Sequence, residues 1–301
     1  MSAVSPYTTV APSRVLRAWI ELTKPRIVSL VLFTALPALV LAGPASARVF
    51  WGALAGIGLS AAAAAAFNHY YDRDIDALMI RTRARPLPAG ILPPAAALAL
   101  GFTLAGLSCV VLWATGRLLA VPIAIASIFY YAVVYTVWLK RRTPQNIVIG
   151  GGAGATAPLI AWAAVTGHVA LPAFLMAAVI FLWTPPHFWA LSLYRREDYA
   201  RAGLPMLPVT HGEAATRLQI LLYSLVLVPV TLLIAPLSGL GPLYWVSAAL
   251  LGAWFILDAV LLYRAPSTSR AMGLFRYSIV YLFVLFAFMF MDAILRTRAG
   301  G

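Results

Sequence analysis

The stretch WGALAGIGLSAAAAAAFNHYYDRDIDALMIRTRARPLPAG, residues Trp51–Gly90, joins a long apolar run to a dense patch of charge. The apolar part is long enough for a membrane-spanning helix, which needs about 20 mostly apolar residues. The patch from Phe67 to Gly90 then holds three aspartates and four arginines, and another apolar run follows it. The pattern predicts a charged site held at one end of a membrane helix.

Composition extends this interpretation to the whole chain. Of the 301 residues, 62% are hydrophobic and only 10% are charged, with a mean hydropathy of +0.90, whereas soluble domains carry about 25% charged residues. The apolar runs are continuous, which favours helices over a closed barrel. We therefore expect an all-α polytopic membrane protein. The lone Cys109 excludes an intrachain disulfide framework and a cysteine zinc cluster.

Nine transmembrane helices are predicted, and they form a single domain over residues 27–294. Residues 1–26 form an N-terminal segment that is too polar for a cleavable signal peptide, although a transit peptide stays a minor alternative. Residues 295–301 form a short tail. The predicted spans are 27–43, 51–69, 96–113, 118–138, 146–164, 170–193, 218–236, 242–263 and 276–294.

Charge distribution sets the expected orientation. The net charge is +13, but the basic residues lie between apolar spans and form no separate domain, so nucleic-acid binding is not expected. Of the 22 Lys and Arg, all but Arg48, Arg117, Arg296 and Arg298 lie on one side of the nine-span topology. Positive residues favour the cytoplasmic side, which predicts a cytoplasmic N-terminus. Twenty arginines against two lysines, with abundant alanine, favour a bacterial inner membrane.

The first polar constellation is Asn68, Asp72 and Asp76, spaced four residues apart. If the second span continues as a helix past Asn68, these three side chains share one face and Asp74 does not. Their oxygens suit Mg²⁺, which takes one or two carboxylates plus waters and phosphates. Arg81 and Arg85 suit phosphate oxygens. The alternative is a solvated loop whose acids pair with its own arginines.

The second constellation lies in the loop after span six, LYRREDYARAGLPMLPVTHG. Glu197 and Asp198 are candidate metal ligands that would face the first site, and Arg195 is a candidate phosphate ligand. The loop LKRRTPQN adds Lys140, Arg141 and Arg142 as phosphate ligands, or simply as topology signals. The glycines that follow it, in GGGAGATAP, favour close helix packing or room for a bulky ligand.

These motifs resemble those of the UbiA-type intramembrane prenyltransferases, and most closely the heme-farnesylating branch. NHYYDRDIDALMIRTRARPL resembles the family's first signature, and WTPPHFWALSLYRREDYARAGLPMLPV resembles its second region. LTKPRI and RRTPQNIVIGGGAGA also resemble family motifs, so the resemblance covers nearly the whole chain. Many family members have a second Asp-rich motif with acidic residues at its two outer positions. In this chain, Arg195 and Tyr199 occupy those positions.

The resemblance implies nine helices around a central cavity, and the charge distribution predicts that the active site faces the cytoplasm. It implies Mg²⁺, farnesyl diphosphate and heme b as ligands, with membrane lipid around them and heme A synthase or an oxidase-assembly protein as a possible partner. Asn68, Asp72, Asp76 and Asp198 would be the catalytic residues. His187 is a candidate heme ligand or a hydrogen-bonded core histidine, and His69 is a second candidate near the heme or the metal.

Two other functions stay open from the sequence. One is prenyl transfer to an aromatic or quinone precursor, which would use the same donor site. The other is membrane transport, in which acidic residues line an ion path near the middle of the bilayer. The acids of this chain collect at one membrane face beside arginines, and this favours the enzyme.

Overall fold

A computed structural model describes residues 11–299, with side chains through Arg296. Residues 1–10 of the predicted N-terminal segment and residues 300–301 of the tail lie outside it. All regular structure between 11 and 299 is helical, and it contains no strand. The helices are α1 (Pro12–Leu22), α2 (Pro25–Leu41), α3 (Ala47–Leu78), α4 (Pro94–Trp113), α5 (Ala120–Phe129), α6 (Asn146–Gly154), α7 (Ala157–Thr166), α8 (Leu171–Tyr194), α9 (Arg196–Arg201), α10 (Leu207–Thr210), α11 (Gly212–Ser238), α12 (Pro242–Arg264) and α13 (Thr268–Ala299).

Within residues 11–299, nine helical stretches are long and apolar enough to cross a membrane, and the predicted number is confirmed. The largest differences from the predicted bounds concern the first stretch, which includes α1 and begins at Pro12, the second, which runs on as α3 to Leu78, and the ninth, which begins at Thr268. The fourth stretch consists of α5 and a π-helical segment, Tyr130–Leu139. The fifth divides into α6 and α7 at Ala155 and Thr156.

The spanning helices form a closed ring because the first packs against the last. α2 contacts α3 and α13, and α13 in turn contacts α8 and α12. α3 packs along α4, and the π-helical segment and α7 pack against its other sides. Large apolar side chains such as Phe102, Leu250 and Trp254 remain exposed on the outside. An apolar outer surface of this kind is expected of a protein surrounded by lipid tails.

The N-terminal segment contains a helix that the sequence analysis did not predict. α1 buries Ala18 and Leu22, which pack in one cluster with residues from the loop after α3, and it exposes Leu16 and Ile20 on the opposite side. Between α1 and α2, Lys24 adopts a left-handed backbone conformation with φ +49°. This conformation costs a non-glycine residue about 1–2 kcal/mol. The chain turns here and directs the Lys24 side chain toward α3.

Candidate active site

The buried end of α3 carries the first constellation. The helix continues past Asn68, and Asn68, Asp72 and Asp76 are 3%, 0% and 1% exposed. Asp74 lies on another face with 61% of its side chain exposed. The predicted shared face is therefore confirmed. Buried carboxylates need charged or hydrogen-bonding partners because an isolated buried charge is costly.

Each polar group on this face has a cationic partner. Lys140 Nζ donates to Asp72 Oδ2, and Arg85 Nη1 donates to Asp76 Oδ2 at 2.7 Å. Lys24 Nζ donates a hydrogen bond to Asn68 Oδ1 at 2.5 Å, and Asn68 Nδ2 donates one to Asp72 Oδ2 at 2.7 Å. The result is a connected polar layer at one end of the helix ring.

The π-helical segment supplies the facing wall of this layer. Its hydrogen bonds join residues five apart, so residues four and five apart share a face. Thr136 accepts a hydrogen bond from Asn68 Nδ2 at 3.1 Å, and Lys140, four residues later, reaches Asp72. The two contacts match the four-residue spacing of Asn68 and Asp72 on α3. The wider π turn thus brings two polar side chains into register with the α3 face.

The loop after α3 folds back over the same site. Thr82 is fully buried, and its hydroxyl donates to the Asp76 carbonyl at 2.9 Å. Asp198 Oδ1 accepts a hydrogen bond from the Ile80 backbone N–H at 3.1 Å. Arg201 also reaches Asp198 Oδ1, at 3.4 Å. The two acidic segments therefore meet, as expected. Asp198 Oδ1, however, binds the backbone of the loop after α3 at Ile80.

Three other predicted phosphate or metal ligands are either paired with other groups or exposed to solvent. Arg141 forms an ion pair with Asp74, at 2.6 and 2.7 Å, and donates to the Tyr71 carbonyl. The Asp74 carboxylate raises the pKa of Arg141. Arg142 and Glu197 are exposed.

Arg81 and Arg195 lie beside a buried tyrosine. Arg81 is exposed to solvent, and its guanidinium lies near the hydroxyl of Tyr199. Burial raises the pKa of Tyr199, and the two arginines oppose that shift. The Arg195 guanidinium also lies over the Tyr194 ring, 4.8 Å from its centroid. Both arginines therefore border the loop that carries Asp198.

Two carboxylate oxygens test whether the site fits a metal ion. Asp72 Oδ1 and Asp76 Oδ1 are buried and have no hydrogen-bond partner within the described part of the chain. An unsatisfied buried acceptor costs about 1–3 kcal/mol. No group of three His, Cys, Asp or Glu suited to a metal occurs among the described residues. The two free oxygens nevertheless match the one or two protein carboxylates through which Mg²⁺ is usually held.

The two candidate heme-binding histidines lie on different helices. His187 on α8 is stacked between the rings of Trp183 and Phe275, with centroids 4.3 and 4.7 Å away. Its Nδ1 lies 2.7 Å from Ser278 Oγ, and this oxygen lies 2.6 Å from the Phe275 carbonyl oxygen. His69 on α3 is 2% exposed, and its ring lies beside the backbone of Glu21 near the end of α1.

Sequence reasoning missed Lys24 and Thr136. The chain has only two lysines among its 22 basic residues, and both contact the polar face of α3. This scarcity of lysine was a usable signal for Lys24. Thr136 gave no signal, because only the π-helical register points its hydroxyl at Asn68.

Comparison with known proteins gives the family of the chain. The UbiA prenyltransferase family matches residues 31–291. The protoheme IX farnesyltransferase of Azorhizobium caulinodans is 51% identical, over 93% of this chain and 93% of that protein. The protoheme IX farnesyltransferase of Thiobacillus denitrificans is 52% identical, over 91% and 93% of the two chains.

Solved structures share the fold at low sequence identity. A structure of digeranylgeranylglyceryl phosphate synthase superposes with a TM-score of 0.78 and 18% identity, over 93% of this chain and 99% of the other. A UbiA homologue from Aeropyrum pernix K1 superposes with a TM-score of 0.71 and 19% identity, over 91% of this chain and 98% of the other. A UbiA homologue from Archaeoglobus fulgidus, bound to GPP and Mg²⁺, superposes with a TM-score of 0.58 and 16% identity, over 90% of this chain and 99% of the other. The predicted all-α membrane fold is confirmed.

Proposed function

The chain belongs to the UbiA prenyltransferase family, and from that membership we propose that it transfers a farnesyl group from farnesyl diphosphate to a vinyl group of heme b. Water adds in the same reaction, which gives heme O and diphosphate. The observation that carries the proposal is the buried face of Asn68, Asp72 and Asp76 at the end of an apolar bundle. Relatives about half identical over nine-tenths of the chain, named protoheme IX farnesyltransferase, support heme b as the acceptor.

Cations and carboxylates at this face suit a diphosphate that binds together with Mg²⁺. Lys24, Lys140 and Arg85 surround it, but Asp72 and Asp76 offset most of their positive charge. A prenyl diphosphate carries about three negative charges at neutral pH, by analogy with phosphate esters. These side chains alone would leave it under-neutralised. We assign the free oxygens of Asp72 and Asp76 as the ligands of Mg²⁺, with Asn68 beside them.

Mg²⁺, when bound, withdraws electron density from the diphosphate oxygens and so makes the diphosphate a better leaving group. The protein's own cations add to this effect, because Lys140 and Arg85 lie where negative charge grows as the C1–O bond breaks. Asp198 is assigned a positioning role, since it holds the Ile80 backbone and through it the loop that carries Arg85. Glu197 is left as a peripheral acid.

The reaction balances without a further reagent. The C1–O bond of farnesyl diphosphate breaks, and the diphosphate keeps the electron pair. The vinyl carbon of heme b bonds to C1, and the carbocation left beside the porphyrin takes the oxygen of water, which loses a proton. The apolar helix walls exclude water from the allylic cation until the carbon–carbon bond has formed. Premature water would give free farnesol instead.

We assign the acceptor side to α8 and α13. The tautomer of His187 that donates from Nδ1 to Ser278 would leave the Nε2 lone pair for heme iron, and stacking between Trp183 and Phe275 restricts rotation of the ring. His69 borders the polar layer and would orient water or the metal's outer shell. The protein would act in a bacterial inner membrane with the site toward the cytoplasm, beside heme A synthase or an oxidase-assembly protein.

An acceptor assay tests the proposal. Purified protein in lipid receives Mg²⁺, farnesyl diphosphate and either heme b or 4-hydroxybenzoate, and products are identified by mass spectrometry. The expected product is heme with one added farnesyl group and one added water. Prenylated hydroxybenzoate without prenylated heme would overturn the heme assignment. Loss of product in EDTA, restored by Mg²⁺ and not by buffer alone, would support the metal.

A further inference from the structure

The short helix α1 has three chemically different sides. The side that packs on the protein consists of Val15, Ala18, Trp19 and Leu22. The second side is apolar but exposed, and it consists of Leu16 and Ile20, which are 63% and 51% exposed. The third side is charged and exposed, and it consists of Arg14, Arg17 and Glu21. With 3.6 residues per turn, the three sides follow one another around the helix in this order.

The exposed apolar strip of Leu16 and Ile20 separates the protein-facing side from the charged side. The two residues are four apart, so their side chains are neighbours on the helix surface. A helix that lies in a membrane interface directs its apolar side into the acyl chains and its basic side toward the headgroups. The order of the sides of α1 matches protein on one side, lipid on the next and water on the third.

The neighbours of α1 place it at the membrane boundary. Its protein-facing side packs in one cluster with Ala97 and Leu100, from the first two turns of α4, and with Tyr70 of α3. Both α3 and α4 belong to candidate membrane spans. The next helix, α2, has 17 residues and is therefore about 25 Å long, close to the thickness of the hydrocarbon core, about 30 Å. α2 can cross the membrane without α1, which is then free to lie along the surface.

The charge around α1 complements an anionic lipid surface. Arg14 and Arg17 of α1 and Arg26 at the start of α2 are exposed, and Glu21 is the one acidic residue between positions 11 and 27. Three exposed cations against one acid give this segment an exposed charge of +2. Anionic headgroups attract basic residues next to a membrane span. Charge and apolar strip therefore favour the same partner, a lipid surface.

The C-terminal end of α1 leads directly into the active site. Lys24 follows α1 in the left-handed turn and donates a hydrogen bond to Asn68. The ring of His69 lies beside the backbone of Glu21. The cluster beneath α1 also contains apolar residues of the loop that carries Arg85. The position of α1 thus affects two of the cations around the polar face of α3.

We propose that α1 is an interfacial helix, with Leu16 and Ile20 inserted among lipid acyl chains and Arg14 and Arg17 beside anionic headgroups. This lipid contact fixes the turn that directs Lys24 toward Asn68. The lipid contact itself is independent of the proposed function, and only its effect on diphosphate binding through Lys24 rests on that function.

Nitroxide labels on single cysteines test the lipid contact. The purified full chain, with Cys109→Ala to remove its own thiol, is reconstituted in nanodiscs of phosphatidylcholine and phosphatidylglycerol. Labels at Leu16→Cys and Ile20→Cys probe the apolar strip. Labels at Arg14→Cys and Glu21→Cys probe the charged side of the same helix and are the matched controls. Power saturation then measures collision of each label with oxygen, which concentrates in lipid, and with a nickel chelate, which stays in water.

The expected result is a higher oxygen-to-nickel ratio at Leu16 and Ile20 than at the two control positions, by about threefold or more, because the apolar side of an interfacial helix lies among acyl chains. An equal ratio at all four positions, or greater nickel access at the strip, would place α1 in water and overturn the proposal. Little access to either reagent at the strip would mean that protein covers it, as in a dimer, and would overturn the proposal as well.

Binding of farnesyl diphosphate tests the effect on Lys24. The double variant Leu16→Gln, Ile20→Gln should weaken binding in the presence of Mg²⁺ by about threefold or more, as for partial loss of one charged contact. Isothermal titration in the same nanodiscs measures the affinity, with empty nanodiscs as the blank. Leu118→Gln is the matched control, because Leu118 is also 63% exposed but follows α4 at the opposite end of the bundle, and it should leave the affinity unchanged.

The two measurements separate this inference from the proposed function. Unchanged affinity in the double variant would contradict the link between α1 and Lys24, whatever the labels show. If the unmodified protein binds no farnesyl diphosphate, the proposed function fails, and the spin labels still decide whether α1 lies in lipid.

Discussion

At the scale of single residues, the capacity of an aspartate to bind a metal depends on which of its carboxylate oxygens already accept hydrogen bonds. Asp72 and Asp76 each give one oxygen to a cation and keep the other buried and free. Asp74, only two positions from each, is exposed and paired with Arg141. Three aspartates in five residues therefore have two different environments, because a helix turns 100° per residue and directs alternate side chains apart.

The three aspartates give a matched mutational test. Asp72→Asn and Asp76→Asn should each lower kcat by about a hundredfold or more, the range for losing one transition-state electrostatic contact. Asp74→Asn, an identical chemical change on the exposed face, should stay within about threefold, as expected for an exposed ion pair. Turnover of farnesyl diphosphate per mole of purified protein is the measurement. Near-normal turnover in the two buried variants would contradict the metal assignment.

Lys140 and Arg141 are neighbours with different partners, and this predicts different effects on substrate use. Lys140→Ala removes the cation beside Asp72, so kcat/KM for farnesyl diphosphate should fall at least about tenfold, which corresponds to about 1.4 kcal/mol. Arg141→Ala should cost less than about threefold, because its ion pair with Asp74 is partly solvated. Steady-state kinetics decide between them. An equal loss in both variants would mean that Arg141 also contacts the diphosphate.

At the scale of elements, the π-helical segment Tyr130–Leu139 and the start of α6 depend on each other. A Cβ atom on Gly150 would lie 2.2 Å from Tyr135 Cδ2, so only glycine lets the Tyr135 ring pack there. The glycine run was expected to allow close packing or leave room for a ligand. At Gly150 it allows packing, and at Gly154 it leaves open space. π-Helical turns are rare and frequently occur at functional sites.

Gly150→Ala should therefore displace Tyr135 and disturb the register of Thr136 and Lys140. We expect a loss of about 1–3 kcal/mol in stability, typical of overpacking, and a fall in activity. Gly106→Ala on α4, where an added Cβ meets no atom within 4 Å, is the control and should leave both unchanged or slightly raise stability. Thermal unfolding in detergent and turnover report the two effects. Equal behaviour of the two variants would show that the Gly150 contact does not matter.

What the sequence could predict differs among elements for physical reasons. Hydropathy gives the nine spans, because each must satisfy its own backbone hydrogen bonds in lipid. Four-residue spacing gives the face of Asn68, Asp72 and Asp76, because it depends on one helix alone. The Lys24 and Thr136 contacts with Asn68 join residues 44 and 68 positions apart. They arise from a left-handed turn and a π-helical register, neither of which has a hydropathy pattern.

At the scale of the whole molecule, the nine candidate spans within residues 11–299 predict that the two ends of this range lie on opposite sides of the membrane. The 18-to-4 division of basic residues predicts that the N-terminus and the Asp72 face lie in the cytoplasm. Reporter fusions test this orientation. Alkaline phosphatase should be active when fused after the last span and inactive when fused in the 139–145 loop, and a cytoplasmic reporter should behave in the opposite way. The reverse pattern would refute the topology.

The most direct test of heme farnesylation is mass spectrometry of heme extracted from bacterial membranes that contain the protein. Cells lacking their own heme farnesyltransferase would carry the unmodified protein, Asp72→Asn or Asp74→Asn at matched expression. We expect heme heavier by one farnesyl group and one water with the unmodified protein and Asp74→Asn, and only heme b with Asp72→Asn. Only heme b in all three would contradict heme farnesylation, and the heavier heme in all three would contradict the role of Asp72.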